Sequence, residues 1–108
     1  MSIWTAKWDI LYYDDEPAVE GWLCEVRLDD QEMVISYEED GERRMYIGRA
    51  AEPGHYVVEN EAVGGKGTFH RFNRSLKLEG SWIEDNTRGM WILHLEEEKP
   101  SAGTQHES

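Results

Sequence analysis

The chain carries a single cysteine, Cys24, so no intrachain disulfide can staple it and its stability has to come from packing. No apolar run approaches the roughly 18 residues of a membrane-spanning helix, and the N-terminus lacks the basic-then-apolar pattern of a secretory signal. The cytoplasm is the expected location. No window holds a helical hydrophobic period for longer than two turns, which argues against an α or α/β fold. Bases are scarce as well: 11 Lys and Arg face 23 Asp and Glu, a net charge of −12 over 108 residues. Such a field repels phosphate backbones and anionic lipid, so neither direct nucleic-acid binding nor membrane binding is expected.

What the chain does have is alternation. From Leu76 to Leu95, Leu76, Leu78, Gly80 and Trp82 share one face of a strand and Trp91, Leu93 and Leu95 one face of the next. Asp85, Asn86 and Gly89 supply turn chemistry between them. Eight segments read this way, at approximately 3–13, 18–28, 31–37, 42–49, 54–60, 65–72, 75–84 and 89–95. Connections this short force antiparallel neighbours, because a parallel crossover needs a dozen or more residues.

The predicted inward face is continuous: Trp4, Ala6, Trp8, Ile10 and Tyr12; Ala18, Trp22, Cys24, Val26 and Leu28; Met33, Ile35 and Tyr37; Met45 and Ile47; Tyr56 and Val58; and Phe69. A meander that buries only one face satisfies its edges by curling, so the expected fold is all-β, an up-and-down antiparallel β-barrel of about eight strands, with a β-sandwich as the alternative. Residues 1–98 form one domain in this reading, and the polar stretch 99–108 is a disordered tail. Five Trp, five Tyr and two Phe give such a barrel ample apolar bulk. Cys24, in phase with Trp22 and Val26, reads as an inert core thiol.

Gly80-Ser81-Trp82, followed by Gly89-Met90-Trp91, resembles the Gly-x-Trp strand ends of calycins, the lipocalin, fatty-acid-binding and avidin-like barrels. The resemblance covers about 20 residues and places the motif late in the chain, where lipocalins carry it near the start. It implies a barrel closed at one end that holds a small ligand, and it implies no catalytic residue.

Motifs for other chemistry are weak. His55, His70, His94 and His106 are spread one to a segment, outside any zinc spacing, and Asp14-Asp15-Glu16 lacks the alternation of a calcium loop, so no metal or cofactor is expected. Gly64-Gly65-Lys66-Gly67-Thr68 precedes a strand, without the helix N-terminus that a phosphate loop needs. No nucleophile stands out, and the chain reads as non-enzymatic. Ionic or polar residues in phase with the core (Glu20, Arg43, Arg49, Asn60, Arg71 and Glu84) are placed at the barrel mouths. The expectation is therefore a small-molecule-binding barrel whose interior is lined by Trp4, Trp8, Trp22, Tyr37, Tyr56, Trp82 and Trp91, with Arg43, Arg49 and Arg71 orienting a small polar or anionic ligand. The alternative is an acidic interaction module or inhibitor that meets a basic surface on a protein partner. Outward apolar residues Ile3, Leu11, Val19, Leu23, Val34, Met90 and Ile92 further suggest a homodimer through a contiguous outer patch.

Overall fold

A computed structural model describes residues 2–99. Eight strands follow one another along the chain: β1 (Ser2–Tyr12), β2 (Val19–Leu28), β3 (Glu32–Glu39), β4 (Glu42–Glu52), β5 (His55–Asn60), β6 (Gly65–Arg71), β7 (Lys77–Glu84) and β8 (Thr87–Lys99), with a single 3-10 turn at Glu61–Val63. Each pairs antiparallel with the next, and β8 pairs with β1 from Ile3↔Lys99 to Tyr12↔Gly89, closing an up-and-down barrel with no free edge. The fold is a barrel and not a sandwich. β8 extends to Lys99, where the sequence reading begins a tail, and the Lys99 ammonium lies 2.9 Å from Glu25 Oε2. The rest of that tail lies outside the described residues.

The interior is apolar and the outer wall carries charges such as Lys7, Arg27, Glu59 and Glu79, the reverse of a lipid-facing barrel. Among the described residues no helix is long and apolar enough to cross a membrane. Val26, Met33, Ile35, Val58, Phe69, Leu78 and Leu93 are fully buried and fill the barrel's waist. Gly80 permits this closeness on β7, since a Cβ there would fall inside the Thr68 carbonyl of β6.

Two stretches depart from the expected phase. On β4, Met45 and Ile47 face outward and Tyr46 faces in, 3% exposed. The cause is the Asp40-Gly41 turn, with φ 54 and 80, whose two-residue loop pairs Glu39 with Glu42. That register sets Ile35 opposite Tyr46 and Met33 opposite Gly48, so the even-numbered residues of β4 join the interior. On β2, the pairing with β1 slips between Trp8↔Trp22 and Ile10↔Val19, a bulge at Gly21 with φ 68. Val19 therefore packs against the core, while Ala18 and Glu20 are exposed.

The outer apolar residues are also less contiguous than expected. Leu11 lies opposite Met90, but Leu23 sits beside Lys7, Ile92 between Asp9 and Glu79, and Val34 beside Arg27. With Val19 turned inward, charges divide the patch.

One seam is short. β2 and β3 pair only from Glu25↔Ser36 to Leu28↔Met33, and above that point the two strands splay.

Candidate functional site

The packed waist divides the barrel into two mouths. At the near mouth, where β1 begins, an open hollow of about 1000 Å³ is lined by Trp4, Leu28, Asp29, Asp30, Tyr56, Arg71, Arg74, Leu76 and Glu98 among others. Its groups mostly serve the fold. The Tyr56 hydroxyl donates to the Asp29 carbonyl at 2.6 Å, and Arg71 Nε donates to the Ser75 carbonyl at 2.8 Å. Asp29 caps its own turn by accepting from the amides of Gln31 and Glu32, both at 2.8 Å, and these bonds hold its carboxyl below the usual range.

At the far mouth, where β1 ends, a cup of about 70 Å³ is walled almost entirely by rings: Trp8, Tyr12, Trp22, Tyr37, Tyr46, Trp82 and Trp91, with Ile10, Glu39 and Glu84. Every strand that contributes an aromatic does so from its inward register position. Trp8 meets Tyr37 edge-on at 5.4 Å, Tyr12 meets Trp82 at 5.2 Å, and Tyr46 meets Trp91 at 5.2 Å, an interlocking set of T-shaped contacts. Below them Trp91 stacks on Phe69 at 4.7 Å and donates from Nε1 to the Thr68 carbonyl at 2.8 Å, which fixes the floor.

The polar atoms of the cup are few. Asn60 Nδ2 donates to the Tyr37 hydroxyl at 2.9 Å, while the Asn60 carbonyl oxygen caps the 3-10 turn through the Ala62 amide. Burial pushes the Tyr37 phenol up to about 12. The Tyr46 hydroxyl donates to Glu84 Oε2 at 3.3 Å, and burial raises Tyr46 further still. Arg44 Nε lies 3.0 Å from Glu39 Oε1 and its Nη2 3.4 Å from Glu42, so Glu39 has a cation beside it, although Nε is not aligned to donate. Glu84 makes no ion pair among the described residues, and Arg44, which is close enough to lower its carboxyl slightly, is engaged with Glu39 and Glu42. Its carboxyl is raised chiefly by burial and then by Glu39 and Asp85, with the Tyr46 bond opposing. Trp8, 1% exposed, has an Nε1–H with no partner.

Acids also crowd the loops around this mouth. Asp14 and Glu16 precede β2, Glu39 and Asp40 turn into β4, Glu61 opens the 3-10 turn, and Glu84 and Asp85 turn into β8. Their nearness is felt by Tyr12, whose phenol is raised first by burial and then by Glu16, Glu84, Glu39 and Asp14.

Of the residues expected to line a ligand site, Trp8, Trp22, Tyr37, Trp82 and Trp91 come together at the far cup, and Trp4, Tyr56 and Arg71 at the near hollow. Arg43 and Arg49 do not reach the interior. Both are exposed on the outer wall of β4, opposite Glu38 and Glu32, because the Asp40-Gly41 register turns odd-numbered residues outward. The sequence reading missed Tyr46 for the same reason. Cys24 is half-buried, its Sγ 3.8 Å from the Ala6 carbonyl, and burial pushes the thiol up to about 12, which leaves it unreactive.

No family model, curated protein or solved structure matches this chain.

Proposed function

We propose that the protein is a non-enzymatic small-molecule-binding barrel of calycin-like design whose far cup takes a polar, cationic head group. The observation that carries this reading is Glu84, a half-buried carboxylate that makes no direct ion pair among the described residues and whose net shift is upward despite Arg44, set in a wall of aromatic rings. An ammonium meets both demands at once, gaining the ring faces through cation–π attraction and neutralising a charge that burial disfavours. An anionic ligand is not favoured at this cup, since no arginine lines it: Arg43 and Arg49 stand outside the barrel and Arg71 lies at the near hollow. At about 70 Å³ the cup suits a head group and not a whole drug-sized ligand, which occupies roughly 300–1,000 Å³. The remainder of the ligand would lie across the acidic rim.

Titration with choline, read by tryptophan fluorescence, tests the reading against 3,3-dimethylbutanol, its uncharged isostere. Saturable quenching by the cation and none by the isostere is expected. Equal response to both, or to neither, overturns it.

The acids around the same mouth favour a second reading, in which the cation is a Lys or Arg side chain of a basic protein partner. Binding of that kind rests on exposed charge and collapses as the Debye length shrinks from about 10 Å at 0.1 M salt to about 3 Å at 1 M. Choline held in the ring-lined cup is less screened. Titration of a lysine-rich peptide at both salt concentrations separates the two. Self-association through the outer wall is a weaker proposal, since charges divide its apolar residues, and sedimentation equilibrium tests it.

A further inference from the structure

On the outer wall beside the near mouth, the barrel carries a row of four side chains that no single segment of the sequence contains. Register places Glu52 of β4 opposite His55 of β5, His55 opposite His70 of β6, and His70 opposite Glu79 of β7. Directly opposed residues in an antiparallel sheet have Cβ atoms about 4.5–5.5 Å apart, so the row reads carboxylate, imidazole, imidazole, carboxylate across the outer face. The two imidazoles are in contact. His55 Nδ1 lies 2.7 Å from His70 Nδ1, with ring centroids 4.7 Å apart and ring planes crossing at 77°.

Two neutral imidazoles at this distance share one proton, the N–H of one ring pointing at the lone pair of the other. We infer that this pair is a bidentate site for a divalent transition metal that takes the place of the bridging N–H, the donor ring moving its proton from Nδ1 to Nε2 through solvent so that both Nδ1 atoms present lone pairs. Two nitrogens each bound at about 2.0–2.1 Å sit roughly 2.9 Å apart when the angle at the metal is 90°, and roughly 3.3 Å apart when it is tetrahedral. The observed 2.7 Å is close to the first value. Both rings are exposed and free to rotate about their Cβ–Cγ bonds, which turns the lone pairs from each other toward a common point in solvent. A right-angled pair of imidazoles suits the tetragonal coordination of Cu²⁺ or Ni²⁺, and Cu²⁺ heads the affinity order for nitrogen ligands. Glu52 and Glu79 flank the pair and place negative charge on either side of the incoming dication.

The other histidine in the described residues is engaged differently: His94 Nε2 lies 2.9 Å from Asp9 Oδ2 on β1. Among the described residues no three or more His, Cys, Asp or Glu groups converge on one point. The site is thus a two-nitrogen clip on a rigid sheet, its other positions filled by water, and binding is reversible.

Copper(II) chloride titrated into the full chain in a non-coordinating buffer, followed by electron paramagnetic resonance, tests the inference. The expected result is one Cu²⁺ per chain with the hyperfine signature of two imidazole nitrogens. That signature is lost in His55→Gln and in His70→Gln, and retained in His94→Gln and in His106→Gln. The wild-type far-ultraviolet circular dichroism spectrum in each variant shows that the barrel is intact. Absence of saturable binding to the wild type, or the same nitrogen signature in the double variant His55→Gln/His70→Gln, would overturn it.

Discussion

Asp9 Oδ1 on β1 accepts a hydrogen bond from the Gly21 amide on β2 at 2.8 Å, across the bulge where the two strands slip by one residue. This bond, reinforced by His94 on the other oxygen, outweighs the opposing effect of burial and holds the Asp9 carboxyl below its usual value. A carboxyl depressed in the folded state contributes stability that is fully present above its unfolded pKa and is lost as pH falls through the folded one. Asp9→Ala should cost about 1–2 kcal/mol at neutral pH in urea unfolding, the worth of a charge-assisted bond reduced by the solvent that reaches this carboxylate. The gap from wild type should narrow below about pH 4, where the unfolded carboxyl takes up its proton.

Glu84 carries the opposite sign. Its carboxyl is raised, mainly by burial, so the ionised form strains the folded state and the strain is relieved as pH falls through the raised value. Glu84→Gln keeps an oxygen to accept from the Tyr46 hydroxyl. The variant should equal or exceed wild-type stability at pH 7, an advantage that fades on acidification. In the choline titration it should bind about tenfold more weakly, equivalent to ~1.4 kcal/mol. Wild-type binding should fall as acidification protonates Glu84, and the variant should lack that step.

Trp8 and Trp91 are both buried, but only Trp91 has a partner for its indole N–H. Replacement of either by Phe removes a similar area. Trp91→Phe also leaves the Thr68 carbonyl without this donor, whereas Trp8→Phe disposes of a buried unpaired group. Chemical unfolding should therefore find Trp91→Phe the more damaging by about 1–3 kcal/mol. Equal losses would mean that Trp8 Nε1 has a partner in solution.

Gly80→Ala tests the close crossing of β6 and β7. Its Cβ would meet backbone and not the end of a flexible side chain. A loss of at least about 1–3 kcal/mol is expected, the usual penalty of overpacking. Its thermal midpoint should fall well below that of the exposed control Ser81→Ala.

The meander, its closure and most of the core were legible because large apolar residues recur in phase with a period of two on β1, β3, β5 and β7, as at Trp8 and Ile10, Met33, Ile35 and Tyr37, Tyr56 and Val58, and Leu78 and Trp82. β4 offers no such contrast. Met45 and Ile47 are as apolar as Tyr46, and the inward Gly48 and Ala50 are small. The deciding signal there was the two-residue Asp40-Gly41 turn, which fixes the parity of β4 from that of β3 and was available in the sequence. The bulge at Gly21 left a fainter trace, one glycine within a strand pattern, and two successive residues on one side of Asp9 cannot be read from periodicity. The His55–His70 contact depends on the register of β5 against β6, which the intervening 3-10 turn sets. No spacing rule along the chain encodes it.

The short ladder between β2 and β3 makes the barrel unequal around its circumference. Where Trp22, Cys24 and Glu38 flank the splayed strands, fewer backbone bonds must break for the wall to part. Amides at the upper end of this seam should exchange with deuterated solvent through local opening, while those of β1 and β8 wait for global unfolding. Trp22 and Tyr37 border both the far cup and this stretch of outer wall. A molecule held in the cup would therefore have a sideways route past Trp22 besides the open mouth, and breathing of that seam would shorten the lifetime of its complex.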